Sequence, residues 1–312
     1  NGSIGDSVAQ EDHWGGRIVL LLDASDNVSI RAAYEHHDLD QGGNTAQNVT
    51  YTDNFLPIVS GDDVKFNYKS QGGRLTDFST IPNGRTDDSN KFDTVSIKID
   101  YDGDGYSLTS VTGYTEYDWK SITDSDYSSL EIFAQQNAQE FKQWSQELRL
   151  ETVIADKVDV LAGVYYHDQD LDQLILSEVV STPAGPNLVR SPAKQDTETW
   201  ALFTQSTLSV TDAARMTVGL RYGSDEKDVY DGLTHSNPVF QAIGFFGAFP
   251  HQVNDSRDEQ HVSWLIRGEY DFGADSLAYA LVSRGYKAGG FDINGLGPSQ
   301  GTTPASDFEY DE

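Results

Sequence analysis

Apolar and polar side chains alternate with a period of two through most of this chain, and that rhythm constrains its fold more than any other feature. Val95, Ile97, Ile99 and Tyr101 alternate with Thr94, Ser96, Lys98 and Asp100, and Met216, Val218, Leu220 and Tyr222 with Arg215, Thr217, Gly219 and Arg221. The pattern recurs at Val28, Ile30, Ala32 and Tyr34, along Val158, Val160, Ala162, Val164 and Tyr166, and along Val262, Trp264, Ile266, Gly268, Tyr270 and Phe272. Successive strand residues point to opposite faces, so each segment has one apolar and one polar, often charged, face. Two stretches are less regular: Tyr106 to Trp119 is mixed, and Ala201 and Phe203 interrupt the alternation after Trp200.

The connections alternate as well. Short turns at 23–27, 102–105, 153–157, 211–214 and 273–275 join strands into hairpins, and long polar segments lie between the hairpins, at about 39–90, 121–139, 171–195, 231–257 and 289–307. Tight turns on one edge and long loops on the other are the layout of an outer-membrane barrel, with short periplasmic turns and long extracellular loops. The expected fold is all-β: one antiparallel up-and-down transmembrane β-barrel domain over residues 1–312, partial, with ten strands. We expect roughly nine to fifteen residues per strand, enough for the ~9–11 of a tilted crossing. The stretch "IDYDGDGYSLTS" (Ile99–Ser110) begins like a calcium loop, but the twelfth position counted from Asp100 is Val111, where such a loop needs a bidentate acid. Strands flank it, and Asp and Gly tolerate the left-handed conformations of a tight turn, so we read it as a hairpin.

Composition narrows the function. A net charge of -29 repels nucleic acid, which we exclude as a partner. Cysteine is absent, so there is no thiolate metal site or disulfide framework. The longest apolar run, Ile18 to Leu22, is far short of the ~18 residues of a membrane helix.

Three segments resemble the barrel of TonB-dependent outer-membrane receptors. "SLAYALVSRGYKAGGFDINGL", followed by "FEYDE", is similar to the family's late barrel region. "WSQELRLET" (Trp144–Thr152) with "VDVLAGVYYHDQD" is similar to its Gln-Glu-Leu-Arg-Leu strand and Gly-containing partner. "ALFTQSTLSVTDAARMTVGLRYGSDEKD" (Ala201–Asp228) is similar to the hairpin carrying Gly-Leu-Arg-Tyr. The family's N-terminal plug and TonB box are not recognisable, and the family barrel has about 22 strands, so we expect an internal piece of a larger barrel. The resemblance implies energy-coupled uptake, in the bacterial outer membrane, of a scarce bulky nutrient: a ferric siderophore first, cobalamin or a glycan otherwise. It also implies outer-membrane lipid as surroundings, the TonB energy-transducing complex as partner through a plug absent from this chain, and no enzymatic activity. Two other readings stay open: a complete small outer-membrane barrel acting as an enzyme through His167 and Asp168, and a soluble glycan-binding β protein.

If the apolar faces meet lipid, the charged faces line the lumen, and Arg31, Glu35, Lys98, Asp100, Glu147, Arg149, Glu151, Arg215, Arg221, Arg267, Glu269 and Arg284 are the expected lining. Tyr34, Tyr101, Tyr117, Trp119, Tyr166, Tyr222, Tyr270 and Tyr286 are expected to form interfacial girdles. Among the loop aromatics, Tyr51, Phe55, Tyr68, Phe245, Phe246 and Phe249 are the candidate ligand contacts. His36 and His37 are adjacent on a strand and so point to opposite faces, which is poor geometry for one metal. We expect no catalytic residue, cofactor or metal site, and find no nucleophile elbow, zinc helix or phosphate loop.

Overall fold

The computed structural model describes residues 11–42, 87–124, 133–179, 182, 184–245, 249–273, 276–291, 293 and 309–310. Ten strands form one antiparallel sheet in which every strand pairs with its neighbours in sequence. They are β1 (Glu11–Ser25), β2 (Val28–Gln41), β3 (Asp87–Gly103), β4 (Tyr106–Asp124), β5 (Phe133–Ile154), β6 (Val158–Val179), β7 (Asn187–Ser209), β8 (Ala214–His235), β9 (His251–Asp271) and β10 (Leu277–Arg284). A second, two-stranded sheet pairs β11 (Gly290–Phe291) with β12 (Glu309–Tyr310), and one short helix, α1 (Pro238–Ile243), follows β8. Among the described residues, β1 and β10 each have one edge without a strand partner. The sheet is therefore open, as a partial barrel must be.

The alternation sorts the two faces as expected. Along one cross-strand row, Ile99, Ser110, Leu148, Val164, Leu202, Tyr222 and Val262 are in register from β3 to β9. Leu148, Val164, Leu202 and Val262 in that row are 46%, 46%, 51% and 46% exposed, so none of the described residues covers the apolar face there. Such a surface is matched to hydrocarbon. The opposite row of Asp100, Thr109, Arg149, Gly163, Phe203, Arg221 and Ser263 is mostly polar.

The hairpin turns lie where the turn chemistry puts them. Between β3 and β4 the chain reverses at Asp104 and Gly105, and Gly105 takes the positive φ of 81° that a tight turn requires. Asp100 is occupied locally: it accepts a hydrogen bond from Thr109 Oγ1 at 2.7 Å and pairs with Lys98 at 2.8 Å. The β5–β6 turn is less comfortable. Ala155 (φ 51°) and Asp156 (φ 54°) both sit in the left-handed region, as a type I′ turn demands. A left-handed Ala costs roughly 1–2 kcal/mol, which Gly does not incur. We expect Ala155→Gly to stabilise the folded protein by about 1 kcal/mol, read as a higher urea midpoint for refolding into lipid vesicles.

The strands overrun the expected loop boundaries. β3 begins at Asp87, β4 continues to Asp124, β5 begins at Phe133, β6 reaches Val179, β7 begins at Asn187, β8 ends at His235 and β9 begins at His251. The expected loops at 39–90, 121–139, 171–195 and 231–257 are thus partly strand. The physical reason is visible along the apolar face of β6, where Val158, Val160, Ala162, Val164 and Tyr166 give way to Asp168, Asp170 and Asp172. Beyond that height both faces are wet, so hydrogen-bonded pairing continues without the hydrophobic period that marks a strand in sequence.

Candidate functional site: the polar face of the wall

Register decides which side chains share the polar face. Arg31, Lys98, Val111, Glu147 and Tyr165 are successive partners from β2 to β6, while Arg149 pairs with Gly163 and Arg221 with Phe203. Arg215 faces Glu269 directly, and Glu35 faces Arg17. Arg284 lies on the other face: the register sets it opposite Trp264, which is opposite Leu220. Its place was illegible because β10 is apolar at both parities, with Ala278, Ala280 and Val282 alternating with Tyr279 and Leu281.

Most charges on the polar face are neutralised within the wall. Lys98 pairs with Asp100, Arg149 with Glu147 at 2.6 Å, and Arg215 with Asp271 at 2.8 Å and Glu269 at 3.4 Å. Arg267 also reaches Glu269, at 3.4 Å. Among the described residues, neither Arg31 nor Arg221 has a carboxylate in ion-pair range. Arg221 rests instead over two rings, 5.6 Å from the Tyr165 centroid and 5.8 Å from that of Phe203. Phe203 can lie there only because its cross-strand partner is Gly163, where an added Cβ would come within 2.4 Å of the ring and 2.8 Å of the Leu148 carbonyl.

Above the height of the apolar band, the polar face carries a row of rings that sequence reasoning missed. His37, Phe92, Tyr117, Phe141 and Leu171 are in register across β2 to β6. Tyr117 and Phe141 stack at 4.9 Å, and Phe92 lies 6.5 Å from the His37 ring. All are partly exposed. Tyr117 Oη donates to Gln139 at 2.8 Å, and Trp119, in the next row on the same face, donates from Nε1 to Asp88 at 2.8 Å. Tyr117 and Trp119 therefore leave the expected girdle, whereas Tyr34, Tyr166 and Tyr222 lie on the apolar face. No single strand announces the row, because it exists only across strands.

Tyr286 also leaves the girdle. The wall ends at Arg284, and the glycine-rich segment after it folds onto the polar face of β8 and β9. The Tyr286 ring stacks on His261 at 3.6 Å, and its hydroxyl donates to Glu259 Oε2 at 2.5 Å. Gly289 N–H donates to the same carboxylate at 3.0 Å, and Lys227 Nζ holds the Gly289 carbonyl.

Of the loop aromatics, Tyr51, Phe55, Tyr68 and Phe246 lie outside the described residues. Phe245 packs against Val189 and Leu233, edge-on to Phe240 at 5.0 Å, and closes a small cluster at the outer ends of β7 and β8. The Phe249 side chain is partly exposed, and its carbonyl lies 2.9 Å from His251 Nδ1. His251 Nε2 stands 3.0 Å from Asp231 Oδ2. Both imidazole nitrogens thus face acceptors, which only the protonated ring satisfies. This pair lies beyond the apolar band, and the hydrogen bond to Asp231 raises the His251 pKa above 6.5, against the burial that lowers it. A raised folded-state pKa contributes stability that is complete below the ordinary value and lost as pH rises through the folded one. We expect amide exchange at the outer ends of β8 and β9 to quicken above about neutral pH beyond its intrinsic dependence, and His251→Gln to remove that extra change.

A meandering sheet with one hydrocarbon-matched face, one charged face, tight turns at one end and long connections at the other defines the wall of a large transmembrane β-barrel. The family model for the TonB-dependent receptor-like β-barrel matches residues 33–309, and this chain belongs to that family. The fold is shared with solved receptors at low identity. The ferric yersiniabactin uptake receptor FyuA of Yersinia pestis is 17% identical, with a TM-score of 0.68, over 92% of this chain and 40% of that one. The siderophore receptor PiuA of Acinetobacter baumannii is 12% identical, with a TM-score of 0.62, over 96% and 46%. The ferric-catecholate import receptor Fiu of E. coli K12 is 12% identical, with a TM-score of 0.59, over 88% and 47%. The chain thus spans less than half the length of these receptors.

Proposed function

We propose that this chain is part of the wall of an outer-membrane receptor that imports a scarce, bulky nutrient, and that the nutrient is a ferric siderophore. The observation that carries the reading is the row His37, Phe92, Tyr117 and Phe141 on the polar face, above the apolar band, where a ligand arriving from outside meets the wall. Partly exposed rings in register offer stacking surfaces for an aryl group, the chemistry of many iron chelates. Arg31 and Arg221, without carboxylate partners among the described residues, add local positive charge that offsets the net charge of -29 for an anionic chelate. Similarity in fold to receptors for ferric yersiniabactin and ferric catecholates supports the cargo class. Energy comes from the TonB complex through a plug outside this chain, and the wall performs no covalent chemistry. The loop aromatics Tyr51, Phe55, Tyr68, Phe245, Phe246 and Phe249 would add contacts from above.

The test is radiolabelled-iron uptake by a Gram-negative strain lacking its own siderophore receptors and carrying the full-length receptor. We expect TonB-dependent uptake of at least one aryl-containing ferric siderophore, reduced about tenfold or more when Tyr117 and Phe141 are both Ala, in line with losses of 1–3 kcal/mol for removed stacking rings. Uptake of cobalamin or a glycan but no ferric chelate, by a receptor displayed at the cell surface, would overturn the assignment.

A further inference from the structure

His36 and His37, as neighbours on a strand, diverge. His36 turns to the apolar face, with Nδ1 2.8 Å from Asp93 and its ring against Trp14. His37 turns to the polar face and meets a different histidine. β1–β2 pairing sets Gly15 opposite His37, and a Cβ at Gly15 would lie 2.6 Å from His37 Nδ1. Glycine there lets the His37 ring fold across β1 and meet the His13 ring edge to edge, with centroids 5.4 Å apart and planes 15° apart. His13 Nε2 and His37 Nδ1 stand 3.1 Å from each other.

The far side of His37 is fixed. Its Nε2 lies 2.7 Å from Glu35 Oε1, and an ionised carboxylate only accepts, so the His37 proton resides on Nε2. The lone pair is thereby left on Nδ1, pointing at His13. Glu35 is in turn approached by Arg17 Nε at 3.7 Å. A carboxylate behind one imidazole nitrogen, with the other nitrogen unprotonated, is the arrangement that orients histidine toward a metal.

We propose that His13 Nε2 and His37 Nδ1 form a two-imidazole site for a divalent transition metal of the copper, nickel or zinc class. Two nitrogens each ~2.05 Å from a metal stand about 2.9 Å apart at a right angle and about 3.3 Å apart at the tetrahedral angle. The observed separation falls between them, and because the two nitrogens meet head-on, the exposed His13 ring turns to bring its lone pair and that of His37 onto one metal. In the metal-free protein one proton bridges the pair, His13 Nε2–H donating to His37 Nδ1. On binding, that proton moves to His13 Nδ1 and the metal takes its place, so no net proton is released. Imidazole suits this class of metals, and calcium or magnesium would prefer oxygen. Among the described residues no group of three or more His, Cys, Asp or Glu side chains is arranged to hold a metal, so the wall supplies two ligands and leaves the other positions to water or to donors of a bound molecule. The site ends the row of rings that begins at His37, and it does not depend on the cargo being a ferric siderophore.

The experiment is copper(II) binding to the full-length receptor in detergent, followed by electron paramagnetic resonance and calorimetry. We expect one equivalent with a two-nitrogen signature, lost in His13→Ala and in His37→Ala. Glu35→Gln should weaken binding about 10–100-fold, the usual effect of removing such an orienting carboxylate. Gly15→Ala should abolish it with both imidazoles still present, and His36→Ala should leave it unchanged. Heat-modifiable gel mobility reports folding in each case, with His13→Asn and His37→Asn replacing an alanine variant that fails to fold. Wild-type binding retained in the His37 variants, or lost equally in His36→Ala, or absent at micromolar copper, would overturn the proposal.

Discussion

A receptor carrying Val218→Arg is expected to lose about 2–4 kcal/mol of folded stability in a bilayer, the cost of a cationic side chain on the lipid face near the midplane. Val218 lies midway along β8 between Ala214 at the turn and Tyr222, on the apolar face, and is 44% exposed. Its cross-strand neighbours are Ser206 and Ile266, neither of which can pair with a guanidinium. Gln205→Arg, one strand over and on the opposite face beside Gly219, should change stability by no more than ~0.5 kcal/mol, as for an exposed polar site. Urea titration of both variants refolded into vesicles gives the comparison. Equal losses, or none for Val218→Arg, would mean that the apolar face does not meet hydrocarbon.

Gly163→Val is expected to be comparably severe for a different reason. The Leu148 carbonyl, 2.8 Å from the added Cβ, belongs to the β5–β6 ladder and cannot retreat without breaking pairing. The Phe203 ring, 2.4 Å away, would have to swing out from beneath Arg221. Overpacking of this kind costs about 1–3 kcal/mol or more. Adding Phe203→Ala should recover part of that loss, and the shortfall measures the backbone share, which a double-mutant cycle isolates. Full recovery would assign the whole clash to the ring, and no recovery would assign it to the backbone.

Where one face is apolar and the other polar, the sequence was sufficient. The lower halves of the strands, the tight turns and the face of Arg31, Lys98, Glu147 or Arg215 all follow from a period of two. Above Tyr166 and Tyr222 the signal ends because both faces are wet, and strand and loop become indistinguishable in composition. Arg284 could not be placed because β10 is apolar on both sides. The rings of Phe92, Tyr117 and Phe141, and the meeting of His13 with His37, were hidden for another reason: each depends on cross-strand register, which no local pattern encodes. Tyr286 reads like a girdle residue by position, yet the glycines that follow let the chain turn inward to His261 and Glu259.

One face of this wall meets lipid and the other meets water, residue by residue. This chain contains no cysteine, so once any cysteine elsewhere in the receptor is replaced by serine, a single introduced spin label along β7 reports from a defined site. Labels at successive positions from Thr199 to Leu208 in the full-length receptor, embedded in bilayers, would be probed by collision with oxygen and with a water-soluble nickel complex. Oxygen accessibility is expected to peak at Leu202, Thr204, Ser206 and Leu208, and nickel accessibility at Gln205 and Thr207, in strict alternation. Accessibility without a period of two, or with the phases reversed, would contradict this assignment of faces.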